Sequence, residues 1–166
     1  IAVLRAPVVP RCARALIAAG VGKDTRVGIL MTNRPEYIAS VFGIALAGGV
    51  TVSLSTFSTP VELEYLLQAG AVSILLYERQ VLGKDFGAML AELEPGIGTA
   101  SPGVLMGTKF PFLRRLVALD SVTANAGPPV ADGAAVEQWT DFLATGAVVD
   151  VAQVDARAAT THPSDT

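Results

Sequence analysis

Apolar residues along the chain fall into two alternating patterns. Short apolar runs of strand length, "RVGILM" (Arg26 to Met31), "VTVSL" (Val50 to Leu54) and "VSILLY" (Val72 to Tyr77), are each followed by a helical stretch. Ahead of them, Cys12, Leu16 and Ala19 share one face of a predicted helix from Val9 to Ala19 that stops at Gly20. "TNRPEYIASVFGIALAGG" predicts a helix with Asn33 as N-cap, Glu36 three residues on and Pro35 in the first turn, where a missing N–H costs nothing. "STPVELEYLLQAG" repeats the design: Thr59 caps, Pro60 is the first helical residue, and Glu62 completes a capping box. Leu63, Leu66 and Leu67 form its apolar face and Gly70 ends it. A further helix is predicted over Lys84 to Glu94. Three strand–helix units at this spacing argue for an α/β fold in three layers, a mainly parallel sheet flanked by helices and wound right-handed.

Beyond Pro95 the pattern breaks into a Gly- and Pro-rich connection, "PGIGTASPGVLMGTKFP". "LRRLVALD", Leu113 to Asp120, restores a strand, and "AAVEQWTDFLATG" predicts a short helix with Trp139 and Phe142 on neighbouring turns. Val148, Val149 and Val151 are candidate anchors, and a polar linker is expected from Ala156. The domain reading is therefore a partial α/β subdomain over 1–155 and a linker over 156–166. The uncharged run from Tyr37 to Val61 calls for a membrane test. Its apolar part, Tyr37 to Ala47, would rise only about 16 Å as a helix, against a hydrocarbon core of roughly 30 Å, and Gly48 and Gly49 then break it. A buried helix followed by a buried strand is the reading that fits.

With 51% apolar and 16% charged residues among 166, the chain is too apolar for intrinsic disorder. A net charge of -3, with scattered Lys and Arg, lacks the basic stripe that nucleic-acid phosphates require. Cys12 is the single cysteine, which excludes an internal disulfide and points to a reducing compartment, with cytoplasm as the expectation. The chain starts on Ile1 with no signal-peptide pattern, and the natural beginning is expected upstream.

Several stretches resemble catalytic motifs. "GVGKDT", Gly20 to Thr25, has the lysine of a phosphate-binding loop, but Ile17 stands where the first glycine belongs, Asp24 follows the lysine, and the order is helix into strand. "GVLMGTK", Gly103 to Lys109, fails on the same grounds. "SLSTFST", Ser53 to Thr59, lies where α/β sheets bind ligands, between a strand's carboxyl end and a helix N-terminus. Its hydroxyls can serve as caps of the turn and helix, which is the favoured reading over ligand contact. His162 is the only histidine and sits beside Pro163 in the expected linker, so neither a metal site nor a histidine-based triad is expected within this chain. Glu62 and Glu64 are two apart on a helix and face different ways, one a cap partner and the other a solvated charge.

The stretch "ARALIAAGVGKDTRVGILMTNRPEYIASVFGIALAGGVTVSLSTFSTPVELEYLL" resembles the N-terminal part of the adenylate-forming (AMP-binding) superfamily, most of all its acyl-CoA synthetases. The resemblance is strongest from Ala13 to Leu76 and weaker through "PFLRRLVALD". "ALAGGVTVSLS", Ala45 to Ser55, matches a family motif of the type LKAGGAYVPLD, with Leu46 in place of the usual lysine and Ser53 in place of the usual proline.

The resemblance implies that the phosphate loop follows a segment like "HPSDT", and that the ribose-binding aspartate, the hinge and the catalytic lysine come later still. No catalytic, cofactor-binding or metal residue is therefore expected here, and ATP, Mg and CoA belong to the parent enzyme. Ser55, Thr56 and Phe57 are the candidate substrate or CoA rim, although Phe57 stands where some CoA-using relatives place a basic residue. The resulting expectation is an N-terminal fragment of an ATP-dependent acyl-CoA synthetase, catalytically incomplete alone and prone to self-association. Its partners are the remainder of the parent chain and the parent's carboxylic acid, ATP and CoA. The alternatives are a peptide-synthetase adenylation domain, and a non-catalytic α/β remnant or interaction module.

Overall fold

The computed structural model describes residues 8–120 and 133–162. In chain order its elements are α1 (Val8–Ala18), β1 (Arg26–Leu30), α2 (Pro35–Ala47), β2 (Val50–Ser53), α3 (Pro60–Ala69), β3 (Ile74–Glu78), β4 (Gln80–Val81), β5 (Lys84–Asp85), α4 (Phe86–Leu93), β6 (Arg115–Leu119), β7 (Val136–Gln138), α5 (Trp139–Thr145) and α6 (Val151–Ala159). Five parallel strands form one sheet in the order β2-β1-β3-β6-β7, and β4 and β5 make a separate antiparallel hairpin.

Side chains alternate across the sheet and divide the core in two. Val27, Ile29, Ile74, Leu76, Val117 and Leu119 point to the face covered by α1, α2 and α5, where Leu16, Ile44 and Phe142 meet them. Leu30, Leu75, Tyr77, Leu116 and Ala118 point to the opposite face, under Leu63 and Leu67 of α3 and Phe86 and Leu90 of α4. The α/β class and the layered parallel sheet are thus as the hydrophobic pattern predicts. The step from β1 to β2 goes one way through α2, and the step from β2 to β3 goes back over β1 through α3 on the other face. Reversing both direction and face preserves the hand, so these crossovers share it. Outside the first helical layer, Val149 and Val154 pack with Ala13 and bring α6 against α1. Arg14 secures this layer by donating to the carbonyls of Val149 at 2.5 Å and Ala147 at 3.2 Å.

The double glycine after α2 has two separate causes. Gly48 caps the helix with φ of 79°, the left-handed region that disfavours a side chain, and a Cβ on Gly49 would stand 2.7 Å from Val21 Cγ1.

Several local expectations are corrected. The N-cap of α2 is Arg34, not Asn33, and Glu36 does not close a capping box; its carboxylate instead takes the Arg34 guanidinium at 2.9 Å. Lys84 and Asp85, expected in a helix, form strand β5, and α4 begins at Phe86 with Asp85 accepting from the Ala88 amide at 2.8 Å. The predicted helix from Ala134 is a strand first, because Val136, Glu137 and Gln138 pair with Leu116, Val117 and Ala118 before α5 starts at Trp139. Of the candidate anchors Val149 is buried, whereas Val148 and Val151 are exposed. Helix α6 runs on to Ala159, past the Ala156 where the linker was expected to begin. Pro163 to Thr166 lie outside the described residues. Among the described residues no helix is long and apolar enough to cross a membrane.

Candidate functional site

In an open parallel sheet, ligands bind outside the carboxyl ends of the strands, at the point where the strand order reverses. Here that point lies between β1 and β3, since the chain leaves β1 for β2 on one side and continues through β3 and β6 on the other. A polar cluster occupies it. Glu78, the last residue of β3, is fully buried, and its Oε2 accepts from the Thr32 amide at 3.1 Å and the Thr32 hydroxyl at 2.7 Å. Its Oε1 lies 3.5 Å from the Arg34 guanidinium. Arg34 also donates to the Asp120 carbonyl at 2.8 Å, and Arg79 pairs with the Asp120 carboxylate at 2.8 Å. A buried carboxylate survives only when its oxygens are satisfied and its charge is opposed, and Thr32 and Arg34 supply both. The Arg34 guanidinium, hydrogen-bonded to Glu36, holds that carboxyl below its usual range.

Sequence reasoning missed this cluster, although a signal exists. Thr32 and Arg34 follow "RVGILM", Glu78 and Arg79 follow "ILLY", and Asp120 follows "LVAL", so each polar group lies at or just after the carboxyl end of an apolar run. Once the strands are parallel neighbours, those ends must meet.

Beside the cluster lies the turn predicted as the candidate rim. Ser55 and Phe57 are exposed and Thr56 half-buried, with Phe57 75% accessible. The capping role of the hydroxyls is realised: Ser55 Oγ accepts from the Phe57 amide at 3.2 Å, and Thr59 and Glu62 form the full capping box on α3. The hydrogen bond from the Thr59 amide is the main cause that lowers the Glu62 carboxyl. Ser53 Oγ lies 3.0 Å from the Tyr37 hydroxyl, which ties the end of β2 to α2. Lys84 was not anticipated. Its ammonium reaches across from the β4–β5 hairpin and donates to the carbonyls of Thr56, Phe57 and Ser58 at 3.3, 2.7 and 3.0 Å.

The other motifs keep their structural roles. "GVGKDT" is the turn from α1 into β1, with Gly20 and Asp24 both at positive φ and the Thr25 hydroxyl accepting from the Gly22 amide at 3.2 Å. "GVLMGTK" lies in the irregular connection ahead of β6. Glu64, expected to be solvated, pairs with Lys109 at 3.2 Å. Burial pushes the Cys12 thiol up to about 12, which makes it a packing residue rather than a nucleophile. His162 follows α6, and no group of three or more His, Cys, Asp or Glu among the described residues could hold a metal ion. The arginines at the switch point are engaged with acidic partners and carbonyls, so the cluster orders the sheet edge.

A three-layer parallel α/β scaffold with a polar carboxyl edge defines a broad class of ligand-binding enzymes. Within it, the chain belongs to the AMP-binding enzyme family, whose model matches residues 8–133. YngI of Bacillus subtilis (strain 168), a candidate acyl-CoA synthetase, is 31% identical over 105 residues, covering 63% of this chain and 19% of that protein. The human mitochondrial medium-chain acyl-CoA ligase ACSF2 is 26% identical over 113 residues, covering 68% of this chain and 18% of the ligase. The chain thus spans about a fifth of the length of these curated relatives. The crystal structure of the anthranilate CoA ligase AuaEII in complex with anthranoyl-AMP shares the fold with a TM-score of 0.58 at 22% identity, over 82% of this chain and 21% of the ligase. The chain is acyl-CoA-ligase-like and corresponds to the N-terminal part of the adenylate-forming superfamily.

Proposed function

We propose that this chain is scaffold from an ATP-dependent acyl-CoA synthetase. In the reaction proposed for the parent, a carboxylate oxygen attacks the α-phosphorus of ATP and pyrophosphate leaves; the thiol of CoA then attacks the acyl carbon and AMP leaves. The family match over residues 8–133, with relatives named as acyl-CoA ligases, is the observation that carries this reading. Among the described residues no group of three or more His, Cys, Asp or Glu could hold a metal ion, and the two stretches that resemble a phosphate-binding loop form a helix-to-strand turn and an irregular connection. We therefore assign them no step of the chemistry. Their part is to build the parallel sheet, order its carboxyl edge through Thr32, Arg34 and Glu78, and present Ser55, Thr56 and Phe57 as a rim for the acid or CoA. The turn's position at a carboxyl end supports that rim. The remaining expectations, a cytoplasmic setting and self-association of the isolated chain, belong to the same proposal.

The sequence of the gene downstream of Thr166 tests the proposal. A Ser/Thr/Gly-rich loop ending in Lys-Gly supports the ligase, whereas a stop codon there favours a non-catalytic module.

A further inference from the structure

Three backbone carbonyls that point toward one locus repel each other unless a cation or several donors occupy it. In the turn after β2, the carbonyls of Thr56, Phe57 and Ser58 converge in this way, and the Lys84 ammonium lies among them. The turn has few ties of its own. Its internal hydrogen bonds are from the Ser58 amide to the Ser55 carbonyl at 3.1 Å and from the Phe57 amide to Ser55 Oγ. Phe57 is too exposed to be held by packing.

Lys84, by contrast, projects from a base held by several hydrogen bonds. Val81 pairs with Lys84 in the hairpin, the Phe86 amide donates to the Arg79 carbonyl at 2.8 Å, and Asp85 caps α4. Arg79 in turn is paired with Asp120.

We propose that Lys84 is a positioning residue for the turn that carries Ser55, Thr56 and Phe57, a tethered cation that fixes the turn to the hairpin following β3. The inference rests on the reading of that turn as a ligand rim. It joins two loops that leave different strands at the carboxyl edge, so the exposed Phe57 is tied to the ion-paired switch region.

Amide hydrogen exchange followed by NMR on the 166-residue chain tests the clamp, with Lys84→Met removing the charge and Lys84→Arg restoring donors. Losing hydrogen bonds to a charged group should quicken exchange at Phe57 and Ser58 about tenfold in Lys84→Met, with Leu67 and Ile29 unchanged and Lys84→Arg close to the parent. Unchanged exchange at Phe57 and Ser58, or Lys84→Arg as fast as Lys84→Met, would overturn the inference. A uniform rise across all amides would overturn it as well, since that reports global destabilisation. Titration with octanoyl-CoA examines the rim separately. Shifts at Thr56 and Phe57 that weaken in Lys84→Met support positioning, and equal shifts in both proteins contradict it. Shifts in neither protein would count against the rim reading, leaving the exchange data to judge the clamp.

Discussion

Thr32 and Glu78 stand at the carboxyl ends of neighbouring parallel strands and are joined by two hydrogen bonds to one carboxylate oxygen, at 2.7 and 3.1 Å. The pair closes the point where strand order reverses, with Arg34 balancing the buried charge. Removing one donor should cost less than removing the buried carboxylate, since the latter strips Thr32 of its acceptor and Arg34 of one of its two acidic partners. In urea denaturation, Thr32→Val should cost about 2 kcal/mol and Glu78→Leu about 3–5 kcal/mol. A loss below about 1 kcal/mol for Glu78→Leu would show that the cluster contributes little to holding the sheet edge.

Thr59 and Glu62 close a capping box on α3, while Ser55 Oγ ties only its own turn through the Phe57 amide. Thr59→Ala should therefore destabilise the chain by about 1 kcal/mol, more than Ser55→Ala does. Thermal melts of the two variants measure the difference, and equal, negligible effects would remove Thr59 from the capping role.

Glu137 carries a pH dependence of defined sign. One of its oxygens accepts from Arg115 at 3.0 Å, and the other is buried with no hydrogen-bond partner among the described residues. Burial is the leading cause that raises its carboxyl above the usual range; Arg115 opposes the rise and Asp141 adds to it. A raised acid ionises first in the unfolded chain, so its stabilising contribution is full below the ordinary carboxylate range and is lost as pH climbs through the folded value. Glu137→Gln should melt with the parent near about pH 3 and above it near about pH 7. A lower melting temperature than the parent at neutral pH would mean that the Arg115 pairing outweighs the cost of burial.

What could be read in advance follows from how local each cause is. The box on α3 was legible because Thr59, Pro60 and Glu62 determine it within four residues, and the sheet's strands were legible because they are buried apolar runs. Arg34 takes the cap position from Asn33 because its guanidinium is drawn to Glu36, Glu78 and the Asp120 carbonyl, two of them distant in sequence. The strand at Val136 exists only because β6 lies beside it. The hairpin before Lys84 turns at Leu82 and Gly83, both at positive φ, and a leucine gives no warning of such a turn, so the sequence alone predicts a helix there. Position alone locates the rim of Ser55, Thr56 and Phe57, and Lys84, which ties it down through Thr56 and Phe57, lies 28 and 27 positions away from them.

Strand β2 lies at the sheet edge. Val50 and Leu54 direct their amides to β1, so the amides of Thr51 and Ser53 face outward by alternation. Ile38 and Phe42 on α2 and Val61 and Tyr65 on α3 are exposed. An open edge and exposed apolar side chains both favour association, so the isolated chain should sediment as species that grow with concentration. A monomer persisting at high concentration, with no binding of a dye for apolar surface, would contradict this.

The central claim is that the chain is scaffold for an acid-activating enzyme and holds none of the chemistry itself. Pyrophosphate release, measured with ATP, magnesium, CoA and a panel of fatty and aromatic acids, tests it most directly when the 166-residue chain is compared with the full product of its gene. Background release is expected from the chain alone and acid-dependent release from the full product. Acid-dependent release from the pure chain, or none from the full product with any acid, would contradict it.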